Sequence, residues 1–349
     1  MWWEPRSDAE AVLQRAVQAM RERYRQQLSF GGPSSTAGRL AVAGPGPGGT
    51  SIRGVGAGSR GPATAVPPDR LLGRGGVALA EEWQPLVVVD AGALGTAAPA
   101  GRVPWTEVAD SPAGQDLQAL EPTPDTLVEA VGPIATAVTP GDPATSAAAG
   151  VATVGLPVTI TVPTPTGGGQ GFLTVAHGSP PPGGIVATVS AAGLPVTGTV
   201  VFHDDSARAN PGGGDDIALV ALPAGALTGW VQNAGAQAPP TGPPYQTLPV
   251  DLYASQSGHV LAQVNGALLQ FGDQDWQWQD CWELGGTTPG MRPGDSGSLA
   301  VGPTAPHPLF GHFVGGAVNL RGAGFTHHWV QDLGQVLARQ PGLGSMIRF

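Results

Sequence analysis

The spacing of apolar side chains near the start of the chain is that of an amphipathic helix. Between residues 8 and 28 these side chains recur every three or four positions, on one helical face: Ala9, Val12, Leu13, Val17, Met20, Tyr24 and Leu28. Ser7 or Asp8 can cap the first turn. An isolated helix of this length is only marginally stable. The helix predicted within residues 1–30 therefore needs a docking surface, either on its own chain or on a second copy or partner.

The next two zones differ in composition. Residues 31–75 are rich in Gly, Ala, Pro and Ser and show little apolar periodicity, which predicts a flexible linker. Residues 76–145 contain two short apolar runs that predict strands, Leu86–Val89 and Leu127–Val131. Two arrangements fit this zone: a small α/β module, or a strand-rich N-terminal extension of the domain that follows.

From residue 146 to residue 349, short apolar runs alternate with Gly/Pro turns, a pattern typical of all-β barrels. We predict a first barrel at about 146–222 and a second at about 250–340. The proline-rich stretch 223–249 would connect them. The fold class predicted for the chain is therefore all-β, with an N-terminal helix, a linker and a small extension ahead of a double barrel.

Local signals add detail to the second barrel. Asn265-Gly266, between the apolar runs Val260–Val264 and Ala267–Phe271, predicts a hairpin with a type I′ turn. Val330–Gln340 has helical spacing and predicts a C-terminal helix. Three tryptophans are spaced to share one face of a strand, where core packing is favoured over an aromatic shelf for a ligand: Trp276, Trp278 and Trp282.

Composition and charge narrow the range of functions. Gly and Pro supply 55 and 36 of the 349 residues, so part of the chain is expected to be disordered. The formal net charge is −10, although residues 1–74 carry ten arginines against five acidic residues. The remaining body is strongly acidic, which argues against nucleic acid as a partner.

Cysteine content and the first residues bear on the compartment. A single cysteine, Cys281, cannot form an intramolecular disulfide. Residues 1–6 lack the basic-then-apolar layout of a signal peptide, and no apolar stretch reaches the ~18 residues of a membrane span. We therefore expect a cytoplasmic protein without a membrane span.

Three short motifs carry candidate chemistry. Gly294-Asp295-Ser296-Gly297-Ser298 presents a serine in a glycine-rich loop. Thr174-Val175-Ala176-His177 brings a histidine from an apolar run to a glycine turn, and Asp216-Ile217-Ala218-Leu219 opens another apolar run with an aspartate. A serine hydroxyl is a weak nucleophile until an adjacent base activates it. A histidine oriented by an aspartate is one such base.

The three motifs resemble the T-A-A-H, D-I-A-L and G-D-S-G-G segments of the trypsin/chymotrypsin-like serine proteases, in the same chain order. Gaps of 39 and 80 residues separate His177, Asp216 and Ser296, which suits a compact, bacterial, intracellular type. The resemblance covers about residues 146–340 and implies a chymotrypsin-like double β-barrel of six-stranded units. A narrower resemblance to the plant narrow-leaf-type trypsin-like peptidases rests on two segments: Gly171–His177 and Gly294–Leu299.

This resemblance implies a hydrolase that acts on peptide bonds. Ser296 would be the nucleophile, His177 the general base and acid, and Asp216 the residue that orients the imidazole. The N–H groups of Gly294 and Ser296 would form the oxyanion hole. The expected partner is a protein or peptide substrate, and residues 1–75 could hold a regulatory partner.

The resemblance also bears on specificity and activation. Gly290 would lie at the base of the primary specificity pocket and Gly315-Gly316 on its wall; with no charge at Gly290, a small or apolar substrate side chain is expected. In the animal enzymes the aspartate before the serine pairs with a freshly formed N-terminal amine. No matching start precedes His177, so Asp295 is expected to pair internally, with Arg292 as the candidate, and residues 1–75 or a partner to gate activity.

Competing interpretations remain open at this stage. Asp215 is adjacent to Asp216 and competes for its role, and His203-Asp204-Asp205 is a further His/Asp cluster expected at a hairpin tip. His327-His328 and Cys281 offer no spacing for a metal site, so no metal or other cofactor is expected. Two other classes fit less well: a catalytically silent, protease-like binding module, and a mostly disordered scaffold.

Overall fold

The structure is a computed structural model, and strands dominate it. The residues that it describes are 7–30, 50–60, 83–97, 99, 101–136, 152–165, 167, 169–189, 195–208, 210–226, 249–254, 256–273, 275–288, 290–303, 308–318 and 325–349. Two sheets contain the strands of these segments. The predicted all-β class is confirmed.

Six antiparallel strands close into a barrel in the C-terminal part. Neighbours follow the order β11-β14-β15-β16-β13-β12, and β12 pairs back with β11. This closure gives a six-stranded barrel within the zone predicted for the second one. Its strands are β11 (Pro249–Ala254), β12 (Gly258–Gly272), β13 (Gln277–Thr288), β14 (Leu299–Val301), β15 (Leu309–Val318) and β16 (Phe325–Asp332).

The second sheet also has six antiparallel strands, in the order β17-β6-β7-β10-β9-β8. Two short helices, α3 (Leu333–Arg339) and α4 (Pro341–Met346), lead from β16 to its last strand. Asp332 caps α3 by accepting the Gln335 N–H, so the predicted helix begins three residues later than Val330. The strands are β6 (Pro157–Ile160), β7 (Gln170–Thr174), β8 (Ile185–Val189), β9 (Pro195–Asp204), β10 (Ile217–Leu222) and β17 (Ile347–Arg348).

The N-terminal strands continue the barrel sheet and form no sheet of their own. β1 pairs with β12, β2 with β1, and β4 with β2 in parallel, while β3 forms the edge. The parallel pair is bridged by two 3₁₀ turns and the helix α2 (Gly114–Ala119). The strands are β1 (Ile52–Ser59), β2 (Trp83–Asp90), β3 (Arg102–Pro104) and β4 (Leu127–Val131).

The linker prediction for residues 31–75 is wrong for Ile52–Ser59, which is a fully buried strand between β2 and β12. Glycine alternates with other residues there, and a Cβ on Gly56 would lie 2.1 Å from the carbonyl oxygen of Ala267. These glycines permit close strand approach and do not signal flexibility. The remaining positions of that zone, 31–49 and 61–75, lie outside the described residues.

The N-terminal helix, α1 (Asp8–Phe30), docks on its own chain. Most of its predicted apolar face, from Leu13 to Leu28, is buried against β1, β2 and β12, whereas Ala9 and Val12 of that face are exposed. Ser7 accepts the Glu10 N–H and caps the first turn. Within the described residues, no helix combines the length and apolarity that crossing a membrane requires.

The predicted hairpin at Asn265-Gly266 is wrong, because β12 runs continuously through both residues. Gly266 pairs with Gly58 on one side and with Glu283 on the other. Neither Asn265 nor Gly266 adopts the left-handed φ of a type I′ turn. A register irregularity between Val264 and Gly266 accommodates the pair inside the strand. Tertiary pairing on both edges therefore overrides the local turn signal.

The three tryptophans do not share one face. Trp276 and Trp278 stack at 6.0 Å between ring centroids and belong to the cluster that contains Phe271. Trp282 packs in the cluster under α1 instead, and Asp280, with φ 53°, separates the two sets. Trp278 and Trp282 are core residues, whereas Trp276 is half-buried.

Candidate active site

Strand pairing brings the predicted histidine and aspartate to the same end of the second sheet. β7 ends at Thr174, and β10 begins at Ile217, with Ala218 opposite Thr174 in the antiparallel register. His177, which follows β7, and Asp216, which precedes β10, therefore lie at the same end of these two paired strands. The local sequence signals and the pairing register together position this pair.

The three candidate catalytic side chains lie in hydrogen-bonding contact. Asp216 accepts the backbone N–H of His177 at 2.9 Å, and its Oδ2 lies 2.5 Å from His177 Nδ1. On the other side of the ring, Nε2 lies 2.9 Å from the Ser296 Oγ. With the proton of the neutral ring on Nδ1, Nε2 is free to accept the hydroxyl proton. The imidazole is thus placed as a general base within hydrogen-bonding distance of the serine hydroxyl.

Asp216 is completely buried and well supplied with donors. The indole Nε1 of Trp278 donates to its Oδ2 at 3.0 Å. Burial alone would raise the pKa of this carboxyl, but attraction by His177 and these hydrogen bonds hold the pKa below its usual range. Asp216 therefore remains charged at neutral pH.

Two further side chains hold the Asp216 backbone. Gln331 Oε1 accepts the Asp216 N–H at 3.0 Å, and His312 Nε2 lies 2.9 Å from its carbonyl oxygen. Burial lowers the pKa of His312, so its ring is neutral and donates through Nε2. Sequence reasoning missed Trp278, His312 and Gln331, because they lie 62 to 115 residues from Asp216 and no local motif marks them.

Trp276 also contacts the site, and sequence reasoning missed this too. Its ring lies edge-on to the His177 imidazole, with 5.4 Å between centroids and 66° between planes. Such a contact restricts rotation of the imidazole and excludes water from one side. Trp276 is thus a positioning residue for His177.

The competing acidic residues serve other partners. Asp215 forms an ion pair with Arg339 at 2.6 Å and does not face the imidazole. His203 and Asp204 lie within β9, paired with β10, and not at the expected hairpin tip. His203 Nε2 lies 3.2 Å from the Ala176 carbonyl oxygen, and Asp204 contacts Gln340. Of the acidic residues considered from the sequence, it is Asp216 that contacts His177.

The loop that carries Ser296 depends on two glycines. Gly294 and Gly297 have φ values of 97° and 88°, which disfavour other residues. A Cβ on Gly297 would also lie 2.4 Å from Thr174 Oγ1. Thr153 fixes the loop from outside, because its Oγ1 donates to the Gly294 carbonyl and its N–H to the Ser296 carbonyl.

Asp295 is buried beneath the nucleophile and has internal partners. It accepts the backbone N–H of Arg292 at 2.8 Å, so the predicted contact with Arg292 exists, but through the main chain. The N–H groups of Gln256 and Ser257 and the Ser257 hydroxyl complete its shell. Within the described residues, three backbone N–H groups and one hydroxyl thus donate to this carboxylate.

The predicted pocket glycines lie around one aromatic side chain. A Cβ on Gly316 would lie 2.5 Å from the Phe325 ring, and one on Gly290 would lie 3.7 Å from the Phe325 carbonyl oxygen. Gly315 precedes Gly316 on β15 and pairs with Trp329 of β16. Their role in binding a substrate stays a prediction.

A second polar cluster lies between β4, β13 and β16. Glu129, Glu283 and His327 bring ligand atoms within 4.8 Å of one another. Arg102 already ion-pairs both carboxylates, at 3.0 and 2.8 Å, so a positive group occupies the place that a metal ion would take. The donor set therefore does not fit a metal centre. Sequence reasoning missed the cluster because its members come from four distant strands.

Replacing Trp278 with Phe is expected to destabilise the protein and to raise the pKa of Asp216. A hydrogen bond to a buried charge contributes about 1.5–3 kcal/mol, so the free energy of unfolding should fall by about 2 kcal/mol at pH 7. Because the pKa of Asp216 is lower in the folded than in the unfolded protein, the ionised carboxylate stabilises the fold at pH values above the unfolded pKa. This stabilisation is lost as pH falls toward the folded pKa. In the variant the folded pKa lies closer to the unfolded value, so less stability remains to be lost on acidification. The difference in free energy of unfolding between parent and variant should therefore shrink as pH falls below about 4, as urea unfolding across pH 3–7 would measure.

Trp329 provides the matched control for this exchange. It is equally buried, but its Nε1 has no hydrogen-bond partner among the described residues. Trp329→Phe should therefore lose only packing and leave the acid side of the stability profile unchanged. Equal losses and equal profiles in the two variants would contradict the assigned role of the indole N–H.

Comparison with known proteins finds solved structures of low sequence identity. No protein family and no curated protein matches the chain. Solved structures with a similar chain path include the Nocardiopsis protease NAPase (18% identity, 63% of this chain and 98% of that one, TM-score 0.42). Protease A of Thermobifida fusca is another (15% identity, 56% and 90%, TM-score 0.40). These structural neighbours are chymotrypsin-like serine proteases at low sequence identity.

Proposed function

We propose that this protein is a serine endopeptidase that cleaves peptide bonds through an acyl-enzyme. The observation that carries the proposal is the hydrogen-bonded series from Asp216 through His177 to the Ser296 hydroxyl. A buried carboxylate, an imidazole and a serine in this order form the constellation that activates serine for acyl transfer.

The chemistry follows from the side chains. Ser296 Oγ attacks the substrate carbonyl carbon while His177 Nε2 takes the hydroxyl proton. The tetrahedral intermediate collapses as the C–N bond breaks, and the same Nε2–H protonates the leaving amine. A water molecule then attacks the ester carbonyl and gives a proton to His177 Nε2. As the bond to Ser296 Oγ breaks, Nε2–H returns this proton to Oγ, and the acid leaves. Asp216 stays ionised and stabilises the imidazolium throughout.

The proposed oxyanion site consists of the N–H groups of Gly294 and Ser296, and the loop geometry supports the part assigned to Ser296. The N–H and hydroxyl of Ser298 both donate to the Asp295 carbonyl, so this peptide group turns its oxygen toward Ser298. In a trans peptide the N–H of Ser296 points to the opposite side. Removing one oxyanion donor typically lowers turnover by roughly 10²–10³.

We propose that the preferred substrates are peptides with a small or apolar side chain immediately before the cleaved bond. No charged group stands at Gly290, and the Phe325 ring occupies space beside Gly316. An arginine or lysine side chain would find no carboxylate at this position.

Labelling with a fluorophosphonate probe tests the proposed function. The probe should phosphonylate the parent protein at Ser296, as peptide mass mapping would show. Ser296→Ala should abolish labelling, and His177→Ala should slow it strongly. His259→Ala, an exposed histidine, is the matched control and should label like the parent. A folded parent protein that is never labelled would instead favour the catalytically silent binding module.

A further inference from the structure

A short segment of the N-terminal extension pairs with the barrel beside the nucleophile. This strand, β5 (Ile134–Thr136), pairs antiparallel with β15, with Thr136 opposite Gly315, Ala135 opposite Gly316 and Ile134 opposite Ala317. β16 takes the other edge of β15 along this stretch, and β14 pairs only with the first half of β15. β5 therefore covers an edge that the barrel itself leaves unpaired.

One end of this β15 edge lies beside Ser296, the candidate nucleophile. The Val314 carbonyl oxygen, one residue before Gly315, lies 3.5 Å from Ser296 Oγ. The Phe313 carbonyl accepts the Gly297 N–H at 2.8 Å, which ties β15 to the nucleophile loop. A chain that pairs along Gly315–Ala317 is thus directed at Ser296.

An extended peptide commonly binds by adding a strand to an exposed sheet edge. A peptide bond can react only when its carbonyl carbon lies roughly 3–3.5 Å from the attacking oxygen. Among the described residues, the β15 edge next to Val314 combines that proximity with backbone groups that no strand of the barrel pairs. β5 now occupies it, and Ser296 has no exposed surface.

We infer that β5 is a built-in competitor that occupies the peptide-binding edge of β15 and must leave before an extended peptide can bind. This inference rests on the proposed function and concerns the regulation of the same site. The inference assigns the regulation of activity to residues 134–136 and not to residues 1–75. Residues 1–75 contain β1, a central strand of the sheet, so their removal would disrupt the fold and would not test regulation.

The attachment of β5 is suited to release. Within the part of the chain that the structure describes, three residue pairs join β5 to β15, and the Ile134 side chain is buried in the cluster of Val314 and Ala317. Elements with few buried contacts open at low free energy. A peptide that binds only the open form sees its apparent affinity reduced by the open fraction.

The experiment compares release of β5 with locking of β5. Ile134→Asn removes the buried anchor and should raise kcat/KM for an extended chromogenic peptide about tenfold, mainly through KM, because the competent fraction increases. Val131→Asn is the matched control, since it perturbs the same cluster from β4, where Val131 pairs with Asp90 of β2 and takes no part in the pairing between β5 and β15. Each rate is divided by the final extent of fluorophosphonate labelling, which counts the reactive Ser296 side chains in the sample.

The lock is the double variant Ile134→Cys/Ala317→Cys in a Cys281→Ala background. Partners across an antiparallel pair lie about 4.5–5.5 Å apart at Cα, within the range of a disulfide. The oxidised form should lose hydrolysis of the extended peptide, and reduction of the same sample should restore it.

The outcomes separate the two proposals. If no version that retains Ser296 is labelled, the proposed function fails, whatever β5 does. If labelling occurs but peptide hydrolysis is the same in the oxidised, reduced and Ile134→Asn proteins, the endopeptidase stands and the inference about β5 is overturned. An equal gain in Val131→Asn would also overturn it.

Discussion

Replacing Asp216 with Asn is expected to lower kcat/KM for peptide hydrolysis by about 10⁴-fold, the size of loss seen when this exchange is made in other Ser-His-Asp triads. The carboxylate accepts three hydrogen bonds, from the His177 N–H, the His177 ring and Trp278 Nε1. An amide in its place directs an NH₂ group at one of these donors. The imidazole then holds its proton on Nε2, which can no longer accept the hydroxyl proton of Ser296.

Asp215 is the matched control for this exchange. It is adjacent in sequence and similarly buried, but its partner is the Arg339 guanidinium. Asp215→Asn should weaken the fold without a comparable loss of turnover. Steady-state kinetics and thermal unfolding of both variants measure the contrast. An Asp216→Asn enzyme with more than about a tenth of parental turnover would contradict the orienting role assigned to Asp216.

The candidate site could be predicted from the sequence because each of its three principal residues lies beside a strand with its own motif. His177 follows β7 and Asp216 precedes β10, and pairing of these two strands is enough to unite the residues. The supporting groups could not be predicted in this way. Trp278 and His312 reach Asp216 only through the register of the other sheet, which no local pattern encodes.

The errors in the fold have a common cause. The alternating glycines of β1 have the composition of a linker, and Asn265-Gly266 has that of a turn. In both places the structure uses a missing or small side chain for close packing between strands, as at Gly56 against Ala267. Sequence patterns report local preference, whereas partners more than a hundred residues away decide these segments.

A similar long-range contact carries the second large prediction. Arg102 on β3 donates to Glu129 and Glu283, and to the backbone carbonyls of Ser59 and Asn265. Its side chain is 3% exposed. One guanidinium on β3 therefore joins the N-terminal extension to the barrel through contacts with four other strands, β1, β4, β12 and β13.

The charges in this cluster depend on Arg102. Burial would raise the pKa of Glu129, but attraction by Arg102 and the hydrogen bond with His327 bring it down to about 2. Burial raises the pKa of Glu283, and the neighbouring Glu129 adds to this, despite the opposing effect of Arg102. Without the guanidinium, two buried carboxyl groups would face each other with His327 as the remaining cationic partner.

Arg102→Leu is expected to lower the free energy of unfolding by about 3–5 kcal/mol at pH 7, the usual effect of removing one partner from a buried ion pair. Because the pKa of Glu129 is about 2 in the folded protein and about 4.5 in the unfolded chain, the ionised carboxylate stabilises the fold at pH values above 4.5. This stabilisation is lost as pH falls toward 2. The difference between parent and variant should therefore shrink below pH 4.5, as guanidinium unfolding at several pH values would show.

Two further variants separate charge from packing. In Arg102→Leu/Glu129→Gln/Glu283→Gln the orphaned carboxylates are gone, so most of the lost stability should return at pH 7. Arg23→Leu removes an arginine from an exposed pair with Glu121 and should change little, because exposed ion pairs contribute little. If the triple variant is no more stable than Arg102→Leu, the loss arises from packing of the guanidinium, and Arg102 does not join the extension to the barrel through charge.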